Sequence, residues 1–179
     1  MTELQDGLQR LLDELVKSSR ELGLQAAVYV EGQLVADVWA GDMKRGEGAR
    51  TVDGDTLFTS WSTTKGFVAT CLHILADRKQ VDYNTPVAQY WPEFGCRGKE
   101  VITVRQALNH TAGIPQLPAG TVVDSLSDWD GMCAAIAELE PLWEPGVKAA
   151  YHALTFGWII GEVVRRVDGR SISAFAREE

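Results

Sequence analysis

The chain has 179 residues, 45% of them hydrophobic, and its 17 basic and 25 acidic side chains give a formal net charge of −8. This length and composition suffice for one globular domain with a sizeable core and exclude a disordered tail. The negative charge argues against nucleic acid or an anionic membrane surface as a partner and favours a small neutral substrate.

Neither a membrane span nor a secretory leader is expected. No stretch approaches the roughly 18 apolar residues of a transmembrane helix, and the first residues lack a basic region followed by an apolar run. The chain has an odd number of cysteines, Cys71, Cys96 and Cys133, and their spacing is not that of a metal site. We interpret them as reduced thiols of a cytoplasmic protein and expect no cofactor and no metal. A cysteine nucleophile is the alternative.

The N-terminal part of the chain predicts a helix followed by a β-hairpin. Leucines recur at helical spacing between charged residues from about residue 3 to Leu22, which indicates an amphipathic helix. Its acidic residues favour packing on a sheet over binding to a membrane surface or a partner. Residues 25–30 and 34–40 read as two strands around a tight turn. The next stretch, residues 41–55, is predicted to be a solvated loop.

The central segment runs from Ser62-Thr63-Thr64-Lys65 to about Arg78. Its apolar residues recur at helical spacing, at Val68, Cys71, Leu72 and Leu75. This pattern predicts a helix with one buried face and places Ser62 and Lys65 one turn apart on the same edge. A serine hydroxyl needs an adjacent base to be a nucleophile at neutral pH, and a deprotonated lysine can supply it. The S-x-x-K pattern therefore predicts a nucleophile and its base, although so short a motif also arises by chance.

The rest of the chain predicts short helices and loops. Residues 77–100 are rich in charge, Pro and Gly and read as a surface connection with short helical turns. Thr103 suits the N-cap of a short helix that ends near His110. Ser127, with Asp130 three residues later, predicts the start of another helix. Its inward side chains would be Met132, Ile136 and Leu139.

Two further helices are predicted near the end of the chain. One runs from Leu154 to Val167 and stops at Asp168-Gly169, and the other begins at Ser171 or Ser173. Three parts are expected: residues 1–61 with the first helix and the hairpin, a mainly helical region at 62–145, and a return segment at 146–179.

Four segments resemble the serine β-lactamase and penicillin-recognising superfamily. Residues 56–65, TLFTSWSTTK, are similar to its active-site entry. Residues 85–94, TPVAQYWPEF, and 102–114, ITVRQALNHTAGI, resemble two segments of the class C β-lactamase-like branch, which includes family VIII carboxylesterases. Residues 142–153, LWEPGVKAAYHA, resemble the P-G-x-x-x-x-Y-x-N element, so Tyr151 matches its catalytic tyrosine.

The resemblance implies an α+β fold of the class C β-lactamase-like (DD-peptidase) type. An antiparallel sheet would be flanked by helices, and a mainly helical region would be inserted. The resemblance covers nearly the whole chain but only the N-terminal half of a family protein. We therefore expect the C-terminal strands to be absent from this chain, so that the missing half or another chain completes the sheet.

The resemblance also implies a serine carboxylesterase that cleaves small esters through an acyl-enzyme. Ser62 would attack the carbonyl, Lys65 would receive or relay the proton, and Tyr151 would act as general acid and base. Ala153 stands where β-lactamases and peptidases have an asparagine that contacts the substrate amide, which favours esters over amides. A β-lactamase, a D-alanyl-D-alanine carboxypeptidase, an acyltransferase of the same fold and a non-catalytic scaffold remain alternatives.

A Ser-His-Asp site is disfavoured. His73 lies too far along the predicted helix from Ser62, His110 is expected to fix a turn, and His152 is expected to point away from Tyr151. There is also no G-x-S-x-G elbow. Four residues could shape an apolar acyl pocket or simply belong to the core: Trp61, Trp91, Pro115 and Leu117.

Overall fold

The computed structural model describes residues 3–179. The chain divides into two compact units, one ending at Thr59 and the other spanning Ser60–Glu179. Ser62, Lys65 and Tyr151 all lie in the second unit. The three-part division expected from the sequence remains a prediction.

The first unit contains one helix and one hairpin. Its elements are α1 (Glu3–Lys17), β1 (Gly23–Val30) and β2 (Gln33–Gly41), and the two strands pair antiparallel as predicted. Glu31 and Gly32, between the strands, have φ values of 50° and 78°, which is the conformation that a two-residue hairpin turn needs. Helix α1 ends earlier than predicted, because Ser19 adopts a left-handed φ of 57°.

Helix α1 packs on strand β2 through apolar and amide side chains. The Gln5 side chain donates to the carbonyl oxygen of Asp37 at 2.8 Å and accepts from its N–H at 2.8 Å. Gln9 donates to the carbonyl oxygen of Trp39 at 3.0 Å. These bonds satisfy backbone groups along β2 that a two-stranded sheet leaves unpaired.

The second unit is helical in its described elements. A 3₁₀ turn, Trp61–Thr63, leads into α2 (Thr64–Asp77). The later helices are α3 (Val87–Tyr90), α4 (Val104–Leu108), α5 (Trp129–Ala137), α6 (Thr155–Asp168) and α7 (Ile172–Glu178). Helix α6 is the central one, in contact with α2, α3, α4, α5 and α7. Within residues 3–179, no helix is both long enough and apolar enough to cross a membrane.

The core of the second unit is built around α2 and α6. The predicted inward face of α2 is buried at Cys71, Leu72 and Leu75 and half-buried at Val68. Residues 77–100 contain the predicted short helical turns, α3 and a 3₁₀ turn at Pro92–Phe94, but they are not simply a surface connection. They bury Val81, Val87, Trp91 and Phe94. The apolar residues in this stretch recur at neither helical nor strand spacing. Their burial could therefore not be predicted from the sequence pattern.

Lys99 is a buried cation in the same stretch. Its side chain is fully buried, and its Nζ donates to the carbonyl oxygens of Cys96 at 2.8 Å and Ala137 at 2.7 Å, with a further bond to Leu139. Burial lowers the pKa of Lys99 below its ordinary value. Because these carbonyls include the end of α5, the ammonium joins the residue 96–99 loop to that helix.

Helix boundaries in this unit follow local capping chemistry. Thr103 caps α4 in a reciprocal capping box with Gln106, as predicted. Helix α5 is capped by Asp128, which accepts from the Gly131 N–H at 3.0 Å, and not by Ser127 as predicted. Ser127 Oγ instead donates to the Asp124 carbonyl at 2.8 Å, within the 3₁₀ turn Asp124–Ser127 that precedes α5. Ser171 caps α7, one of the two predicted starts.

Candidate active site

Ser62 and Lys65 meet at the start of helix α2. Ser62 lies in the 3₁₀ turn just before the helix and Lys65 in its first turn, so one helical turn separates them, as predicted. Lys65 Nζ donates to Ser62 Oγ at 3.1 Å and to the carbonyl oxygen of Ala153 at 2.7 Å. The second bond orients the lysine, because it holds Nζ beside the serine hydroxyl.

Tyr151 completes the group from the segment that precedes α6. Lys65 Nζ is 4.8 Å from the centroid of its ring. A hydrogen bond with the Ser62 hydroxyl, and next the contact with Lys65, lower the pKa of Tyr151 below its ordinary value. Tyr151 is 53% exposed as a residue. The structure therefore brings together all three residues that the sequence predicted for the site.

Two histidines hold the backbone of Tyr151 in place. His110, at a left-handed φ of 64°, accepts from the Ala150 N–H through its carbonyl at 3.1 Å and from the His152 N–H through Nδ1 at 3.2 Å. Its ring lies 4.9 Å from that of Tyr151. Burial, and next the nearby Lys65 charge, lower the pKa of His110. His110 therefore fixes a turn, as expected, and supports the tyrosine from behind.

His152 is locked as a neutral ring inside the protein. Its side chain is fully buried. Nδ1 donates to the Ala150 carbonyl at 2.7 Å, and Nε2 accepts from the Ile114 N–H at 3.0 Å. Burial also lowers the pKa of His152. Because both ring nitrogens are engaged with backbone, His152 is a structural residue.

The cysteines do not offer a competing nucleophile. Cys71, Cys96 and Cys133 are all free. Burial raises the pKa of the Cys71 and Cys133 thiols, and thiolate is the reactive form of cysteine. Cys96 Sγ donates to the Ala137 carbonyl at 3.0 Å, away from Ser62. Among residues 3–179, no cluster of three or more His, Cys, Asp or Glu side chains could hold a metal ion.

A cavity of about 400 Å³ opens beside Ser62 and Lys65. Its walls are mainly apolar and come from α2, α5, α6, α7 and the loops before them. They consist of Trp61, Ser62, Thr64, Lys65, Val68, Leu126, Trp129, Ala153, Leu154, Phe156, Gly157, Trp158 and Ile172.

Sequence reasoning identified only one of the apolar residues of this wall, Trp61. Trp91 lies in the core, and Pro115 and Leu117 are not among the lining residues. The sequence does contain a signal for this part of the wall. Gly157 and Gly161 lie one turn apart in α6, and two glycines at this spacing indicate a helix face with room for another group.

A buried carboxylate fixes one wall of the cavity. Glu162 is fully buried and accepts from Trp129 Nε1 at 2.8 Å, from Arg165 at 2.7 and 2.9 Å, and from Arg166 at 2.7 Å. Burial alone would raise the pKa of Glu162, but hydrogen bonds from Arg165, Arg166 and Trp129 outweigh it and lower the pKa to about 2. The Trp129 indole, which lines the cavity, is thereby held by an ionised partner.

Comparison with known proteins identifies the family of this chain. Residues 8–179 match the model of the beta-lactamase family. The chain belongs to the beta-lactamase family. This family member is 44% identical over 153 residues to the esterase/beta-lactamase LipL of Mycobacterium tuberculosis, a match that covers 86% of the chain and 35% of LipL.

Solved structures of the beta-lactamase fold superpose on nearly the whole chain. A family VIII carboxylesterase matches with a TM-score of 0.93 and 39% identity, and a penicillin-binding protein homologue from Caulobacter crescentus with 0.92 and 35%. Each match covers 99% of this chain but 48% of the other. The predicted α+β fold is confirmed, and the chain spans about half the length of these structures.

Proposed function

We propose that this chain carries the acylation site of a serine carboxylesterase. The observation that carries the proposal is the 3.1 Å hydrogen bond between Lys65 Nζ and Ser62 Oγ, with the Tyr151 phenol next to both. A serine nucleophile requires such a neighbour. The names of two relatives support the reaction class, since one is an esterase/beta-lactamase and the other a carboxylesterase.

In the proposed acylation, Ser62 Oγ forms a bond to the ester carbonyl carbon while its proton passes to the ionised Tyr151 oxygen, a form that the neighbouring Lys65 ammonium favours. The negative charge moves to the carbonyl oxygen, and the Ser62 backbone N–H is proposed as one donor to it. Such a donor is typically worth about 3 kcal/mol of barrier. When the carbonyl re-forms, the bond to the alcohol oxygen breaks and Tyr151 returns the proton to this leaving group. An acyl group remains on Ser62.

Deacylation repeats these steps with water as the nucleophile. Water gives a proton to the ionised Tyr151 oxygen as it adds to the acyl carbonyl. When the carbonyl re-forms, the bond to Ser62 Oγ breaks and Tyr151 returns that proton to the serine. The lowered pKa of Tyr151 favours this exchange, because a group that gives and takes protons works best when its pKa lies closer to the operating pH.

The proposal also covers the substrate, the location and the missing part of the fold. The partner is a small ester, the three free thiols are consistent with a cytoplasmic location, and no nucleic acid or membrane takes part. Since the chain spans 48% of the carboxylesterase structure, we propose that the remaining sheet and the second oxyanion donor come from the rest of a longer protein or from another chain.

An activated serine is expected to react with a fluorophosphonate ester. Intact-protein mass spectrometry should show a single adduct on the wild-type chain and none on Ser62→Ala, because within residues 3–179 the serine hydroxyl with a lysine Nζ at hydrogen-bond distance is that of Ser62. Ser60→Ala is the matched control: its hydroxyl lies 3.5 Å from that of Thr64, and the variant should keep the adduct. An unlabelled wild type would show that the residues of this chain alone do not activate Ser62, and an adduct on Ser62→Ala would assign it to another residue.

Esters are expected to be better substrates than β-lactams. At position 153 the alanine has no side-chain amide to bind a substrate amide, and its carbonyl oxygen already accepts from Lys65 at 2.7 Å. One good hydrogen bond in a site is worth about 1 kcal/mol or more. We therefore expect kcat/KM for a short nitrophenyl ester to exceed that for nitrocefin by at least about fivefold. The opposite order would favour the β-lactamase alternative.

A further inference from the structure

The apolar cavity beside Ser62 is larger than a small acyl group needs. It measures about 400 Å³, within the range of roughly 300–1,000 Å³ of pockets that enclose small-molecule ligands. A water molecule occupies about 30 Å³ of liquid, so an acetyl group would leave most of this cavity to water. An extended apolar group would displace that water from walls built largely of tryptophan, leucine, isoleucine and phenylalanine side chains.

Gly157 keeps part of this space open. It lines the cavity from α6, and a Cβ atom placed on it would meet nothing within 4 Å. Glycine destabilises the interior of a helix, and no neighbouring atom would clash with a larger side chain's Cβ at position 157. The space above it is the cavity itself.

Gly161, one turn further along α6, shows the contrast. A Cβ atom there would lie 2.6 Å from Cη2 of Trp129 and 3.4 Å from Cγ2 of Ile172. Gly161 therefore lets the Trp129 indole pack directly on α6. Because Trp129 Nε1 is bound to the buried Glu162 at 2.8 Å, the indole has a fixed orientation. The protein fills the space over one glycine with its own side chain and leaves the space over the other empty.

The reacting groups open onto the same space. Ser62, Lys65 and Ala153 line the cavity together with Gly157 and Trp129. An acyl group bound to Ser62 Oγ can thus extend over Gly157 toward the indole. A carboxylate product would lie beside Lys65 Nζ, which donates to Ser62 Oγ at 3.1 Å.

We propose that this cavity is the acyl site, that it selects apolar acyl groups of medium length such as octanoyl, and that Gly157 sets the length it admits. The kinetic consequences of this inference rest on the proposed esterase function. Binding of the free acid is independent of catalysis.

The kinetic test compares nitrophenyl acetate with nitrophenyl octanoate. Each buried methylene is worth about fourfold in affinity, so the wild type should prefer octanoate by at least about tenfold in kcat/KM. Gly157→Leu places four carbon atoms in the cavity. It should lower kcat/KM for octanoate by about tenfold more than it lowers kcat/KM for acetate.

The matched control is Gly7→Leu. Gly7 is also a helical glycine at which a Cβ atom meets nothing within 4 Å, but it lies in α1 and does not line the cavity. It should keep the wild-type preference for octanoate. Equal losses for both esters in Gly157→Leu, or the same selective loss in Gly7→Leu, would overturn the assignment of the acyl site.

Calorimetric titration with sodium octanoate separates the cavity from the reaction. Octanoate should bind the wild type and Ser62→Ala with similar Kd, and Gly157→Leu should raise Kd by about tenfold. Octanoate that does not bind, or that binds Gly157→Leu as tightly as the wild type, refutes the acyl site. If octanoate binds as expected but neither ester is hydrolysed, the esterase proposal fails while the octanoate site stands.

Discussion

Replacing Lys65 by alanine is expected to lower kcat/KM for a nitrophenyl ester by about 10⁴-fold, or roughly 5 kcal/mol of transition-state stabilisation. Lys65 Nζ is the group that contacts Ser62 Oγ, at 3.1 Å, and it also lies 4.8 Å from the Tyr151 ring centroid. Without it, Ser62 loses the cation beside its hydroxyl and Tyr151 loses a contact that lowers its pKa. Steady-state kinetics of the purified variant measures the loss.

The matched control for this variant is Lys148→Ala. Lys148 Nζ lies 4.9 Å from the Trp143 ring centroid, an exposed contact worth at most about 1 kcal/mol. Its removal should leave kcat/KM within about twofold. The same result for Lys65→Ala would contradict a catalytic Lys65.

Ser62, Lys65 and Tyr151 are expected to act as one unit, and variants of Lys65 test this. The double variant Ser62→Ala with Lys65→Ala should be no slower than Ser62→Ala alone, because removing either member disables the same step. In Lys65→Ala, the pKa of Tyr151 should rise toward its ordinary value of 10.0. The phenolate absorbance of this variant, compared with that of Tyr151→Phe in the same background, measures that rise.

Glu162→Gln is expected to lower the free energy of unfolding at pH 7 by roughly 3 kcal/mol. The wild-type carboxylate is fully buried and accepts from two arginines and from Trp129. A neutral amide cannot accept all these bonds, and its own N–H groups would face donors. Urea unfolding followed by tryptophan fluorescence measures the change. Glu144→Gln, at an exposed carboxylate, should change stability by less than about 0.5 kcal/mol.

The contribution of Glu162 should depend on pH in a defined direction. Its pKa is lowered from 4.5 to about 2 in the folded protein, so the unfolded chain binds the proton more tightly. The stabilisation is therefore complete above about pH 4.5 and is lost as the pH falls toward 2. One pKa unit is worth about 1.4 kcal/mol, so roughly 3 kcal/mol is involved.

A comparison of Glu162→Gln with the wild type tests this dependence. The difference in unfolding free energy between the two proteins should be constant from pH 7 to pH 5 and should shrink as the pH is lowered further. A difference that stays constant down to pH 3 would mean that the Glu162 carboxylate is not selectively stabilised in the folded state.

Local structure and the proximity of Ser62 and Lys65 were predicted from the sequence alone. The hairpin around Glu31 and Gly32, the Thr103 cap and the buried face of α2 depend on residues within one turn of each other. Ser62 and Lys65 share one helical turn for the same reason. Tyr151 was added by resemblance to a family motif, and its contact with Lys65 is a long-range one that no local pattern predicts.

Tertiary structure alone decided how the site is supported and what shape surrounds it. The carbonyl of Ala153 holds Lys65, backbone groups of distant segments form hydrogen bonds with the buried Lys99 and His152, and Trp129 packs on Gly161. Each of these contacts joins segments far apart in the chain, and each depends on backbone atoms or on empty space. Periodicity and motifs describe side chains along one segment, so the cavity beside Ser62 exists only where several helices meet.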